Sequence, residues 1–124
     1  MMRRMESWRR RFGFAIRGFS ETLRREPSMR VHAAAALAVA GMAWWLRVSS
    51  VEAAVLLLAI GLVISAEVMN TAVERLADRV CRERDEGIRI AKDAAAGAVL
   101  VASVAAAVAG LLILGPKLWA ALFS

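Results

Sequence analysis

A chain of 124 residues that is 60% hydrophobic, with mean hydropathy +0.55, is too apolar for an ordinary small soluble domain, whose apolar share lies near about 45–50%. Its net charge of +6 and pI of 11.2 would suit nucleic acid, but nine arginines fall in residues 1–30 and six Lys/Arg in residues 75–92. That gathering argues against a nucleic-acid partner and for a membrane protein, and the single cysteine, Cys81, excludes an intrachain disulfide framework.

Residues 5–25 read as an amphipathic helix. Trp8, Phe12, Ala15/Ile16, Phe19 and Leu23 recur at helical spacing, while Arg10, Arg17, Glu21 and Arg24 lie on other faces. A basic, aromatic-bearing helix of this kind lies in a membrane interface. The basic start is not followed promptly by an apolar core with a small-residue cleavage site, so no removed leader is expected. Pro27 interrupts the helix and biases Glu26 towards extended backbone, which predicts a bend at the membrane boundary. His32, one turn further on, is read as a polar residue at a helix end.

Three apolar blocks follow: Val31–Leu46, Val51–Ala66 and Ala94–Leu114. The third carries no charge and is long enough alone, since a spanning helix needs about 20 residues. The first two recruit flanking polar residues, which predicts spans at 30–47, 51–80 with a cytoplasmic extension, and 93–115. The first is alanine-rich and ends in Trp44-Trp45, the pattern of close helix packing and of an aromatic belt. The Arg47–Ser50 connection is short and predicts antiparallel neighbours. Residues 79–91 read as a polar turn, with Asp93 as N-cap of the third span and Gly115-Pro116 as the point where that helix ends or kinks. The charge asymmetry places the N-terminus and the 75–93 loop on the cytoplasmic side, and the Arg47–Glu52 loop and C-terminus outside. One domain, residues 1–124, all-α and integral to the membrane, is the resulting expectation.

The densest chemistry begins where the uncharged run Ala53–Ala66 stops. At about 100° per residue, Glu67, Asn70, Glu74 and Asp78 fall within roughly 80° of one another on a helix. Like charges at this spacing repel, so a cation, basic partners or partial protonation must compensate. Glu26, Lys92 and Asp93 come to the same level from other segments. Ionisable groups in membrane helices are costly and usually functional. Carboxylate and amide oxygens suit Mg²⁺ together with phosphate oxygens, a lysine near a helix start suits phosphate, and a carboxylate at the hydrocarbon edge suits a general base. These are the parts of phosphoryl transfer. Cys/His ligand clusters, a P-loop and protein-kinase signatures are absent. On the residues alone, a membrane-surface enzyme, a small ion-coupled transporter and a structural membrane subunit all stay open.

The run Glu67-Val-Met-Asn-Thr-Ala-Val-Glu74-Arg-Leu-Ala-Asp78, followed by Ala91-Lys-Asp-Ala-Ala-Ala-Gly-Ala-Val99, resembles the prokaryotic diacylglycerol kinase and undecaprenol kinase family from about Phe14 to Trp119. The resemblance implies a homotrimer of three-span subunits with an N-terminal surface helix in the bacterial cytoplasmic membrane. It implies ATP- and Mg²⁺-dependent phosphorylation of a lipid hydroxyl at the cytoplasmic face. Residue by residue it makes Glu67 the catalytic base, and Glu26 and Glu74 the metal-associated, nucleotide-binding carboxylates. It places Lys92, Asp93 and Arg10 on the nucleotide side, and Asn70 and Asp78 at other active-site positions. The loop Glu83-Arg84-Asp85 aligns with a nucleotide-contacting loop but carries different residue types. Val31-His-Ala-Ala-Ala-Ala and Lys92-Asp-Ala-Ala-Ala-Gly-Ala-Val resemble the undecaprenol branch, with diacylglycerol as the alternative lipid.

Overall fold

The computed structural model describes residues 1–124 as four helices: α1 (Met2–Arg25), α2 (Pro27–Trp45), α3 (Ser50–Val80) and α4 (Glu86–Phe123). The first junction is set by Pro27. Glu26 takes extended backbone (φ −102°, ψ 114°), and Pro27 opens α2 at a position where its missing N–H is no loss. Two contacts hold the bend. Arg30 donates to the carbonyl of Arg24, and Arg75 of α3 pairs with Glu26 at 3.0 Å. Met29, fully buried, fills the corner.

The α2–α3 junction is a Schellman turn. The Val48 amide reaches the Ala43 carbonyl and the Arg47 amide reaches that of Trp44, with Arg47 in the left-handed region at φ 54°. Ser49 then caps α3 in a capping box: its Oγ accepts from the Glu52 amide, and the Glu52 carboxylate accepts from the Ser49 amide.

The α3–α4 connection is shorter than the polar turn expected over 79–91. Asp85, not Asp93, is the N-cap of α4, its Oδ1 accepting from the Ile88 amide at 3.0 Å. The polar turns Glu86–Lys92 are helical because Arg89 bridges Glu86 and Asp93 at i−3 and i+4. Nor does α4 end at Gly115-Pro116. It continues to Phe123, since a proline removes one ladder hydrogen bond without forcing its own backbone out of helical dihedrals.

The long helices α3 and α4 pack on each other most extensively; α2 lies against α3 and barely touches α4. At 1.5 Å per residue α3 is about 46 Å long and α4 about 57 Å, so each exceeds a hydrocarbon core of about 30 Å and carries its polar end beyond it. Both are long and apolar enough to cross a membrane. The first expected span, α2, does not meet that test, because Arg30 and His32 near its start lower its hydropathy. At 19 residues it is still about 28 Å long.

Only 9 of the 124 residues are buried, and the chain exposes 9745 Å². A compact soluble chain of this mass exposes about 6,500 Å². The excess is hydrocarbon: Leu57, Leu58, Leu100, Val101, Leu111 and Leu112 are all exposed. The apolar stripe of α1 is bare too, with Trp8, Phe12 and Ile16 more than half exposed. Surface of this kind needs lipid or other subunits to cover it.

Candidate active site

The α3 stripe meets α2 at its inner end and α4 at its outer end, and its middle two polar side chains pair with each other. Glu67, the innermost, is 6% exposed. Its Oε1 accepts from Ser28 Oγ at 2.6 Å, and its Oε2 stands 3.6 Å from His32 Nε2. A carboxylate so buried needs such partners, because an unpaired buried charge is costly. One turn further, Asn70 Nδ2 donates weakly to Glu74 Oε1 at 3.4 Å. The other amide atom, Asn70 Oδ1, is buried without any hydrogen-bond partner. At the outer end of the stripe, Lys92 Nζ of α4 donates to Asp78 Oδ1 at 2.9 Å.

Of the remaining sequence-predicted residues, Glu26 joins this group through Arg75, the residue after Glu74. Asp93 is exposed and paired with Arg89 at 2.8 Å. It lines, with Asp78 and Lys92, a polar crevice of about 320 Å³ beside the α3–α4 loop. Glu83 and Arg84 of that loop line the same crevice. Arg10 lies on the open surface of α1, exposed and without an ion pair or hydrogen bond. The structure therefore brings Glu67, Asn70, Glu74, Asp78 and Lys92 into one continuous line, ties Glu26 to its flank, and leaves Arg10 apart.

Charges at the polar end of α4 are stabilised. The hydrogen bond to Asp78, then that residue's charge, holds the Lys92 ammonium above the usual lysine range, with Glu74 and Asp93 adding to the attraction. The Arg89 hydrogen bond likewise pulls the Glu86 carboxyl down. Lys92 is thus a permanent cation at neutral pH, suited to phosphate.

Hard oxygens dominate the donor set. The orphaned Asn70 Oδ1 and the adjacent Glu74 carboxylate suit Mg²⁺, which takes few protein oxygens and completes its shell with phosphate and water. No three Asp, Glu, His or Cys side chains converge into a cage that would bind a metal by themselves.

Two residues that the sequence does not single out approach Glu67: Ser28 and His32. His32 was read as a polar helix end, yet it faces Glu67. Their four-residue separation puts them on one face of α2, and that spacing was the signal available. His32 also lines an apolar cavity of about 230 Å³, open on one side, between α2, α3 and α4, with Val63, one turn before Glu67, in its wall. The stripe thus runs from an apolar cavity at one end to a charged crevice at the other.

The sequence profile described as prokaryotic diacylglycerol kinase matches residues 13–114. The chain is 42% identical over 107 residues to the undecaprenol kinase of Bacillus subtilis, covering 86% of this chain and 87% of that protein. It is 38% identical over 108 residues to a diacylglycerol kinase of Synechocystis, covering 86% of this chain and 62% of the relative. It is 30% identical over 96 residues to the diacylglycerol kinase of Escherichia coli K12, covering 77% of this chain and 79% of that one.

Proposed function

The chain belongs to the prokaryotic diacylglycerol kinase family and is a lipid kinase, and from that premise we propose that it transfers the γ-phosphoryl group of ATP to the hydroxyl of undecaprenol. The relative with 42% identity is an undecaprenol kinase, which supports this lipid over diacylglycerol, the substrate class of the two other kinases compared. The observation that carries the mechanism is the α3 stripe, with an apolar cavity beside Glu67 and a charged crevice beside Asp78 and Lys92. A water-borne nucleotide and a lipid alcohol would approach such a line from opposite ends.

In this reading Glu67 takes the proton of the lipid hydroxyl, whose oxygen bonds to the γ-phosphorus as the bond to ADP breaks. Burial keeps water from competing for Glu67. Lys92 draws the phosphate charge and is held by Asp78, with Asp93 on the same nucleotide side. Glu74, with Asn70 beside it, and Glu26 would hold Mg²⁺, which supplies neutralisation of phosphate charge when bound. Arg10 would reach the nucleotide only through a change in the seating of α1 or from a neighbouring subunit.

Family membership is the support for a homotrimer of three-span subunits, with α1 lying in the interface and α2 as the first span; the exposed hydrocarbon of all four helices is surface that lipid and neighbouring subunits would cover. The basic residues flanking the site support a cytoplasmic N-terminus in the bacterial inner membrane. The deciding experiment is ATP-dependent phosphorylation in liposomes, with undecaprenol and diacylglycerol compared at equal mole fraction. The expected result is a higher kcat/KM for undecaprenol; equal or reversed preference overturns the lipid assignment.

A further inference from the structure

We propose that Ser28 and His32 are positioning residues that aim the Glu67 carboxylate, fixing Oε1 so that Oε2 meets the incoming lipid hydroxyl at the end of the apolar cavity. The inference rests on the reading of Glu67 as proton acceptor.

The two side chains lie on one face of α2 and reach the same carboxylate on α3, one per oxygen. Their contacts are unequal. Ser28 Oγ to Glu67 Oε1, at 2.6 Å, has the length of a hydrogen bond to an ionised carboxylate. It occupies that oxygen. His32 Nε2, at 3.6 Å from Oε2, is beyond hydrogen-bond range. Oε2 is therefore the oxygen left for a proton, and the gap opens beside a half-buried imidazole. The same imidazole lines the cavity, whose wall is otherwise made chiefly of alanine, valine, leucine and isoleucine. A hydroxyl at the end of a hydrocarbon chain matches that distribution: apolar along the tail, polar at its tip.

Geometry of this sort acts on rate. A glutamate has three side-chain torsions, and its carboxylate must be held close to one orientation for proton transfer. The Ser28 hydrogen bond fixes those torsions. His32 bounds the space beside Oε2, so an oxygen seated to one side of the pair, off the line that joins them, can touch both groups.

The test is steady-state kinetics of the full chain in mixed micelles, varying undecaprenol and MgATP separately. Ser28→Ala is expected to lower kcat about tenfold, the scale of one lost hydrogen bond to a charged group, with the KM for MgATP unchanged. Ser28→Thr, which keeps the hydroxyl, is expected to recover most of that rate. His32→Ala is expected to raise the KM for undecaprenol, and His32→Gln, which keeps a nitrogen there, to restore part of it. Wild-type kcat in Ser28→Ala, or a loss that Ser28→Thr shares in full, overturns the proposal. So does a His32→Ala defect confined to MgATP. Glu67→Gln separates the two readings. If it is inactive while Ser28→Ala and His32→Ala are normal, only the positioning role fails. If Glu67→Gln turns over normally, the base assignment fails and this inference with it.

Discussion

Lys92 and Asp78 meet across the α3–α4 loop, the ammonium 2.9 Å from the carboxylate, joining the loop ends of the two longest helices. The pair is exposed, and such pairs add little to stability. Its value lies in where it holds a cation.

Asp78→Asn should accordingly leave thermal stability nearly unchanged while raising the KM for MgATP several-fold. The pH dependence has a definite sign. The Lys92 pKa is raised, so its charge is present throughout neutral pH and is lost only as pH climbs past the usual lysine value near 10.5. Any contribution of the pair to stability is therefore complete below that value and fades above it. A rate profile from pH 6 to 9 should show no limb that Lys92→Arg removes, because arginine and Lys92 carry the same charge over that range.

Glu67→Gln should abolish turnover, by at least about 100-fold, the lower range for a general base, with MgATP affinity preserved. Nucleotide binding by calorimetry alongside the phosphorylation assay checks both halves. Wild-type-like turnover would remove Glu67 from the proton-accepting role.

Glu74→Ala should weaken MgATP binding and raise the Mg²⁺ concentration giving half-maximal rate. Glu26→Ala should do the same, and in addition release Arg75 and loosen the bend between α1 and α2. An Mg²⁺ titration at fixed ATP, with proteolysis near residue 26 as a second readout, measures both effects. Unchanged Mg²⁺ and nucleotide dependence in both variants would contradict the metal assignment.

At the opposite end, Ser49→Ala should destabilise the chain by about 1 kcal/mol through loss of the capping box. Arg47→Gly should stabilise it by up to about 1 kcal/mol, because glycine adopts φ 54° without the penalty a side chain incurs. Neither change touches the active-site line, so activity per folded molecule should stay constant. Denaturation in mixed micelles reports the stability changes.

The sequence reading reached the polar line because helical periodicity is local. Once α3 is a helix, Glu67, Asn70, Glu74 and Asp78 must share a stripe. Lys92 was within reach for the same reason, since a short connection sets α4 beside α3. Ser28 and His32 were not. Their contacts with Glu67 span 39 and 35 residues, and whether they point at α3 depends on how α2 is rotated about its axis. An alanine-rich helix apolar on nearly every face carries little information about that rotation. Asp85 and Asp93 illustrate another limit. Both can cap a helix, and the choice was decided by the Arg89 bridges, which let α4 begin eight residues earlier. Gly115-Pro116 looked like a stop signal, but proline bars neither its own helical dihedrals nor those of the residues after it.

Two ion pairs tie α3 to α4: Glu52 to Lys117 at 3.4 Å, and Asp78 to Lys92. Glu52 and Asp78 are 26 residues apart on one helix, about 39 Å along its axis, against about 30 Å of acyl layer. On an acyl layer of that thickness the two clasps would fall just outside it on either side, like fixed marks on a ruler. A bilayer much thicker than that spacing would drag one clasp into oil, so the protein carries its own gauge of the membrane it fits.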